Sequence, residues 1–174
     1  MQRVFRKEIK YVIPQETFTG LQRMLDAVLE RDHHCRDSDY VVRSQYYDSF
    51  GDADLRDNLA GVQEKRKIRV RIYSPEDESA KLEYKCKNGA DGLKYSLLIN
   101  RDEALRMQRH DYAFLMEREE SLAHRLYAKM MQQLYFPRTI VEYDRVAYVY
   151  PVSDVRITYD RNLRATRNPY GLYE

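Results

Sequence analysis

The segment KIRVRIY, at residues 67–73, alternates basic and apolar side chains. Because successive side chains of a β-strand point to opposite faces, a strand here would place Lys67, Arg69 and Arg71 together on one face. Arginine binds phosphate or carboxylate oxygens through paired hydrogen bonds, and lysine binds them as a point charge. The segment therefore predicts an anion-binding surface, and phosphate chains are a well-matched ligand.

Other strand-like segments repeat this alternation of polar and apolar residues. On the predicted polar faces, the bases are Lys10, Arg69, Arg71, Lys85, Lys87, Lys94, Arg145 and Arg156, and the acids are Glu8, Glu83 and Asp160. An antiparallel sheet often has one solvated face, which explains the alternation in any single strand. A solvated face usually mixes both signs of charge, so the excess of bases over the whole set favours a polyanion-binding function.

The elements that must position these residues are mostly strands. Strands are predicted at about residues 3–13, 40–48, 65–74, 80–87, 92–100, 138–150 and 154–161. Apolar spacing and a capping box of Asn100 and Glu103 predict helices at about 15–31, from 101, and at 117–135, with a weaker one near 52–60. Strands in meander order with helices between them indicate an α+β fold around an antiparallel sheet. If that sheet closes into a barrel, the cationic faces point inward and line a wet, positive tunnel.

Length and composition exclude several classes of protein. A chain of 174 residues is long enough for one well-buried domain, which is predicted to span the whole chain. The net charge of +2 is too small for a general nucleic-acid binder. No run reaches the roughly 18 apolar residues of a membrane span, and the first residues lack the apolar core of a signal peptide. We therefore predict a cytoplasmic location, while the oligomeric state and any membrane-protein partner stay open.

Six segments in a fixed order carry a resemblance to a known family. They are RKEIKYVI, SQYYDS, KIRVRIY, KLEYKCK, EYDRVAY and VRITYDRNLR, and together they resemble the VTC domain of the triphosphate tunnel metalloenzyme superfamily. The resemblance implies an eight-stranded antiparallel tunnel barrel that makes polyphosphate from ATP with a divalent metal, manganese or magnesium. Only seven strands are predicted here, so the family's last strand, which supplies a metal-binding Glu and a Lys, is expected to be missing.

The resemblance also implies roles for individual residues. Catalytic roles, holding and neutralising the transferred phosphate, fall to Arg69, Arg71, Arg145 and Arg156. Phosphate contacts fall to Lys10, Lys85, Lys87, Lys94 and Tyr143. Glu8 is the candidate metal ligand, and its alternative role is a salt bridge to a neighbouring base. Glu83 and Asp160 are expected to pair with bases of the tunnel.

Three functions remain open from the sequence. The first is a polyphosphate polymerase that transfers the γ-phosphate of ATP to a growing chain, so that ATP and polyphosphate are its partners. The second is a polyphosphate- or nucleotide-binding module without turnover. The third is a metal-dependent triphosphate hydrolase, against which Arg6 argues, because hydrolytic members of the superfamily carry Glu-x-Glu-x-Lys where this chain has Arg6, Glu8 and Lys10.

Overall fold

The computed structural model describes residues 2–5, 8–35, 39–89, 91–152 and 155–174. Within these ranges the chain forms eight β-strands and four α-helices. The strands are β1 (Gln2–Phe5), β2 (Glu30–Arg31), β3 (Tyr40–Asp48), β4 (Glu64–Ile72), β5 (Ser79–Asn88), β6 (Asp91–Asn100), β7 (Phe136–Val149) and β8 (Arg156–Thr166). The helices are α1 (Gln15–Val28), α2 (Ala53–Leu59), α3 (Arg101–Gln108) and α4 (Ser121–Gln132), with 3-10 turns at His33–Cys35 and Ala113–Met116.

The strands are hydrogen-bonded in the order β1-β6-β5-β4-β3-β7-β2, and β8 also pairs with β7. The pairs β1–β6, β2–β7, β3–β4, β4–β5 and β5–β6 are all antiparallel. The predicted α+β fold, an antiparallel sheet with flanking helices, is confirmed. None of the described helices combines the length and apolar character needed to cross a membrane.

Three of the predicted elements are wrong in their extent. The sequence predicts a first strand at residues 3–13, but β1 is Gln2–Phe5, and residues 8–13 have no regular structure and leave Tyr11 and Val12 exposed. The helix predicted at 15–31 ends at Val28, and Glu30–Arg31 forms β2, a short strand that the sequence does not predict. The helix predicted at 117–135 is limited to α4, Ser121–Gln132.

The chain folds as two compact units. The larger unit contains β1, residues Arg43–Val141 and residues Ala165–Glu174, and the smaller unit contains the described parts of Glu8–Val42 and Glu142–Arg164. Strands β3, β7 and β8 contribute residues to both units.

The core of the larger unit forms between the strands and the helices. The alternate residues Ile68, Val70 and Ile72 of β4 are fully buried, as the alternation of KIRVRIY predicts. They join a cluster that includes Leu82 of β5 and Met107 of α3. Burying one such side chain contributes about 1.5–3 kcal/mol. This packing fixes which face of β4, β5 and β6 carries the polar residues.

Local hydrogen bonds set where the helices of the larger unit begin. The predicted capping box is present, because Asn100 Oδ1 accepts from the Glu103 backbone N–H at 2.8 Å and Glu103 Oε2 accepts from the Asn100 N–H at 2.8 Å. At α2, the buried carboxylate of Asp48 accepts from the backbone N–H groups of Asp54 at 3.0 Å and Leu55 at 2.8 Å. Asp48, the last residue of β3, therefore ties the strand to the helix that follows it.

The chain's last residues pack on the apolar side of the larger unit. Leu172 is fully buried in the core cluster. Arg43 of β3 donates to the Leu172 carbonyl at 3.1 Å, and the Arg101 guanidinium lies 4.1 Å from the centre of the Tyr173 ring. These contacts bind residues 165–174 to the same core that the helices cover.

The smaller unit contains α1, β2, most of β8 and the second half of β7. Phe18 of α1 is buried with its ring edge-on to Tyr159, 5.0 Å between centroids. Tyr148 of β7 donates to Asp26 of α1 at 2.8 Å. Phe18 is the buried position of the apolar stripe of α1, and Val28 at the end of the helix remains exposed.

Candidate functional site

The registers of β4, β5 and β6 bring seven basic residues of these strands onto one face. Directly opposed residues are Lys67 with Lys85, Lys85 with Lys94, Arg69 with Glu83, and Arg71 with Lys81. Opposed residues of antiparallel strands project to the same side of the sheet. We define the cationic face as Lys67, Arg69, Arg71, Lys81, Glu83, Lys85, Lys87 and Lys94.

A row of three lysines crosses this face. Lys67 on β4, Lys85 on β5 and Lys94 on β6 are successive cross-strand partners. Like charges placed directly opposite one another destabilise a sheet. The ion pair of Lys94 with Glu83 offsets part of this repulsion, and a bound anion would offset more of it.

Glu83 is the acid of the cationic face, and it is almost fully buried. Its side chain is 1% exposed, and its Oε2 lies 2.7 Å from Arg69 Nη2 and 3.5 Å from Arg71 Nη2. Its Oε1 forms a close ion pair with Lys94 Nζ. Burial by itself would raise the pKa of the Glu83 carboxyl, but the charges of Arg69 and Lys94 outweigh burial and lower that pKa. The carboxylate is therefore ionised at neutral pH, and the predicted pairing of Glu83 with bases is present.

The two arginines of the cationic face are held differently. Arg69 donates through Nε to Glu83 at 2.7 Å and through Nη1 to the Tyr46 hydroxyl at 3.0 Å, which fixes its guanidinium plane. Arg71 is 7% exposed, and its Nε has no hydrogen-bond partner among the described atoms. The Ser44 hydroxyl, on the residue opposite Arg71 in β3, is also buried without a partner there. A buried donor without a hydrogen-bond partner destabilises the fold, so a ligand oxygen that accepts from this part of the face would be bound favourably.

The first-strand residues of the predicted site lie elsewhere. Glu8 and Lys10 belong to the smaller unit, in a segment without regular structure, with side chains 57% and 80% exposed. Their charged groups are 3.8 Å apart, which matches the salt bridge that the sequence leaves as the alternative for Glu8. Arg6 lies outside the described residues. Across the described residues, no group of three or more His, Cys, Asp or Glu side chains could hold a metal ion.

The side chains of Tyr143 and Arg145 contact each other in the smaller unit. Arg145 donates through Nε and Nη2 to the two oxygens of Asp160, at 2.7 and 2.8 Å, and through Nη2 to the Tyr143 hydroxyl at 3.2 Å. Burial would lower the pKa of Arg145, but the hydrogen bond to Asp160 and the charges of Tyr143 and Asp160 together outweigh burial and raise that pKa. Arg145 is thus permanently charged and already paired with a carboxylate.

Arg156 is also paired within the smaller unit. Its Nη2 lies 2.8 Å from Asp32 Oδ2 and 3.0 Å from the Tyr40 hydroxyl. Of the predicted site residues, the structure therefore places Arg69, Arg71, Lys85, Lys87 and Lys94 together on one face of the larger unit. It places Glu8, Lys10, Tyr143, Arg145 and Arg156 in the smaller unit.

Four residues on or beside the cationic face are not among the site residues that the family resemblance assigns. Lys67 and Lys81 share the predicted face, and Ser44 and Tyr46 of β3 lie opposite Arg71 and Arg69. Ser44 and Tyr46 are alternate residues of the segment SQYYDS, and this spacing predicts that they share one face of the strand. The register that brings Ser44 to Arg71 cannot be read from either segment alone.

Comparisons with known proteins agree with this architecture. The family model of the VTC domain matches residues 5–171. Among solved structures, a Bacillus halodurans protein provisionally described as an adenylate cyclase is similar, with a TM-score of 0.56 and 14% identity over 99% of this chain and 87% of that one. At that identity the likeness is one of fold. No curated protein matches the chain. With nearly its whole length matched by the family model, the chain belongs to the VTC domain family.

Proposed function

We propose that this chain is a polyphosphate polymerase, which transfers the γ-phosphate of ATP to the end of a growing polyphosphate chain. The observation that carries the proposal is the row of Lys67, Lys85 and Lys94 beside the partly unsatisfied Arg71. A linear polyanion neutralises a row of like charges along its length. Membership of the VTC domain family supports phosphate chains as that polyanion.

The chemistry needs positioning and charge neutralisation more than a side-chain nucleophile. A terminal phosphate oxygen of the acceptor chain attacks the γ-phosphorus of ATP, a new P–O bond forms, and ADP leaves with the electron pair of the broken bond. Arg71 donates to equatorial oxygens of the transferred group, and the lysine row holds the phosphates on either side. Preorganised donors of this kind stabilise charge that develops in the transition state.

A divalent metal is part of this proposal as a companion of the nucleotide. The described residues do not fit a protein-built metal centre, because Glu83 is already held by three cations and Glu8 is exposed beside Lys10. Metal ions in phosphoryl transfer are commonly held by substrate phosphates with few protein ligands.

The test is an electrophoretic assay of products. Purified protein is incubated with ATP and manganese or magnesium, and the gel is stained for polyphosphate. A ladder is expected for the wild type and for Arg109→Lys, an exposed arginine away from the face. Arg71→Lys keeps the charge but loses the guanidinium fork, so its yield should fall at least about tenfold. Phosphate release without a ladder would identify a hydrolase and overturn the proposal.

A binding module without turnover is the second candidate. The observation that favours it is the pairing of Arg145 with Asp160 and of Arg156 with Asp32, which occupies two arginines expected to be catalytic. In that case ATP or polyphosphate would bind while ATP stays intact. Calorimetry with tripolyphosphate, combined with the gel, separates the two candidates. The expected roles of Tyr143, Arg145 and Arg156, like the cytoplasmic location, remain predictions.

A further inference from the structure

Glu83 places a negative charge at the centre of a surface that is otherwise positive. Its side chain is almost fully buried, so water does not shield it, and it has bases on both neighbouring strands. Its cross-strand partner on β4 is Arg69, and Lys94 of β6 reaches it from the other side. A surface built only to hold anions tightly would not contain this carboxylate.

Two of the three partners of Glu83, Arg71 and Lys94, are groups that the proposed function assigns to phosphate. Its Oε2 lies 2.7 Å from Arg69 Nη2 and 3.5 Å from Arg71 Nη2, and its Oε1 pairs with Lys94 Nζ. Carboxylate and phosphate oxygens present the same kind of acceptor to guanidinium and ammonium groups. Each donor that Glu83 engages is therefore a donor for which a bound phosphate must compete.

We propose that Glu83 is an internal competitor for the phosphate ligand, and that its carboxylate weakens binding so that phosphate chains are released rather than trapped. The inference rests on the proposed function, since it concerns the same face. Glu83 touches the phosphate-binding side chains rather than the ligand, so it is a positioning residue. An enzyme that moves a lengthening product needs such release after every transfer.

The direction of the effect follows from charge. Without the Glu83 carboxylate, three neighbouring cations lose the anion that they share, and a phosphate chain can engage them without displacing it. The ligand is also relieved of the repulsion of a buried negative charge, which water screens poorly. We expect removal of this charge to tighten tripolyphosphate binding at least about tenfold, a change of about 1.4 kcal/mol.

The test is isothermal titration calorimetry of tripolyphosphate with wild type, Glu83→Gln and Glu119→Gln. Glu119 is an exposed acid before α4, so its variant removes the same charge away from the face. We expect a Kd at least about tenfold lower for Glu83→Gln and within about twofold of wild type for Glu119→Gln. A folded Glu83→Gln that binds no more tightly than wild type overturns the inference alone. Absence of binding by the wild type overturns the proposed function and this inference with it.

A measurement on the wild type covers the case in which Glu83→Gln does not fold, because breaking a buried ion pair is destabilising. The side-chain carboxyl carbon of Glu83 is followed by NMR in uniformly labelled protein during a tripolyphosphate titration. Its resonance should shift and saturate with the Kd from calorimetry, because Arg71 and Lys94 redistribute to the ligand. A resonance that stays fixed while the ligand binds contradicts the competition.

Discussion

At the scale of residues, the two units use their cations differently. In the smaller unit, Arg145 and Arg156 each contact a carboxylate within 2.8 Å. In the larger unit, three of the seven bases of the cationic face, Arg69, Arg71 and Lys94, contact the single carboxylate of Glu83. Paired arginines stabilise a fold locally, whereas directly opposed lysines repel one another, and a bound anion relieves that repulsion. The excess of base over acid therefore locates the candidate binding surface in the larger unit.

The pH dependence of stability should report on Glu83. The neighbouring cations lower its pKa in the folded state below the ordinary value of 4.5, so its contribution is present above that value and is lost as pH falls through the folded pKa. Glu83→Gln should lower the free energy of unfolding by about 3 kcal/mol at pH 7. Near pH 3 the substitution should lower the free energy of unfolding by less, because protonation of Glu83 has begun to remove the same ion pairs from the wild type.

Urea unfolding from pH 3 to pH 7 measures both effects, with Glu119→Gln as the control. The control should parallel the wild type at every pH. A constant difference between wild type and Glu83→Gln over the whole range would mean that ionisation of Glu83 does not stabilise the fold.

At the scale of elements, Asp48 connects β3 to α2. Its carboxylate is buried and accepts backbone N–H groups of Ser49 at 2.7 Å, Asp54 at 3.0 Å and Leu55 at 2.8 Å. The first N–H groups of a helix have no partners within the helix, and a charge-bearing acceptor also favours the positive end of its dipole. The Asp of SQYYDS is thus a structural residue in this chain.

Asp48→Ala should destabilise the protein by about 1–3 kcal/mol, because the orphaned N–H groups are left buried without an acceptor. Its effect on tripolyphosphate affinity should be under about twofold, since Asp48 does not belong to the cationic face. Chemical unfolding and calorimetry measure the two quantities. The control is Asp57→Ala within α2, expected to cost under about 0.5 kcal/mol. Equal losses for the two variants would contradict the capping role.

The sequence predicts the central strands well and the ends of the chain poorly. In KIRVRIY and KLEYKCK, polar and apolar residues alternate because one face of each strand is buried. That alternation makes β4, β5 and their polar face predictable from the sequence. The alternation in residues 8–13 lacks that cause, since Tyr11 and Val12 are exposed and the strand partner of β6 is Gln2–Phe5. The pairing of Arg156 with Asp32 joins residues far apart in the chain, and one sequence carries no signal for it.

At the scale of the whole molecule, the small net charge gives no indication that basic residues are concentrated on one face. The chain carries 30 Lys and Arg against 28 Asp and Glu. The cationic face nevertheless gathers seven bases around Glu83 within the larger unit. A nearly neutral protein with a concentrated positive surface should bind polyanions selectively, and its affinity for them should fall strongly as the salt concentration rises.

Ligand binding should therefore raise the stability of the folded protein. A ligand that binds only the folded state adds about 2.7 kcal/mol when its free concentration is 100 times Kd. We expect tripolyphosphate to raise the urea midpoint accordingly, and we expect the increase to shrink as sodium chloride is raised from about 0.01 to 0.15 M, where the Debye length falls from about 30 to about 8 Å. Sulfate at matched ionic strength is the control, because it screens charge without bridging the lysine row. Hydrogen exchange should slow most in β4, β5 and β6, the strands that carry the cationic face. An equal rise with sulfate, or protection outside these strands, would show that the cationic face does not hold a phosphate chain.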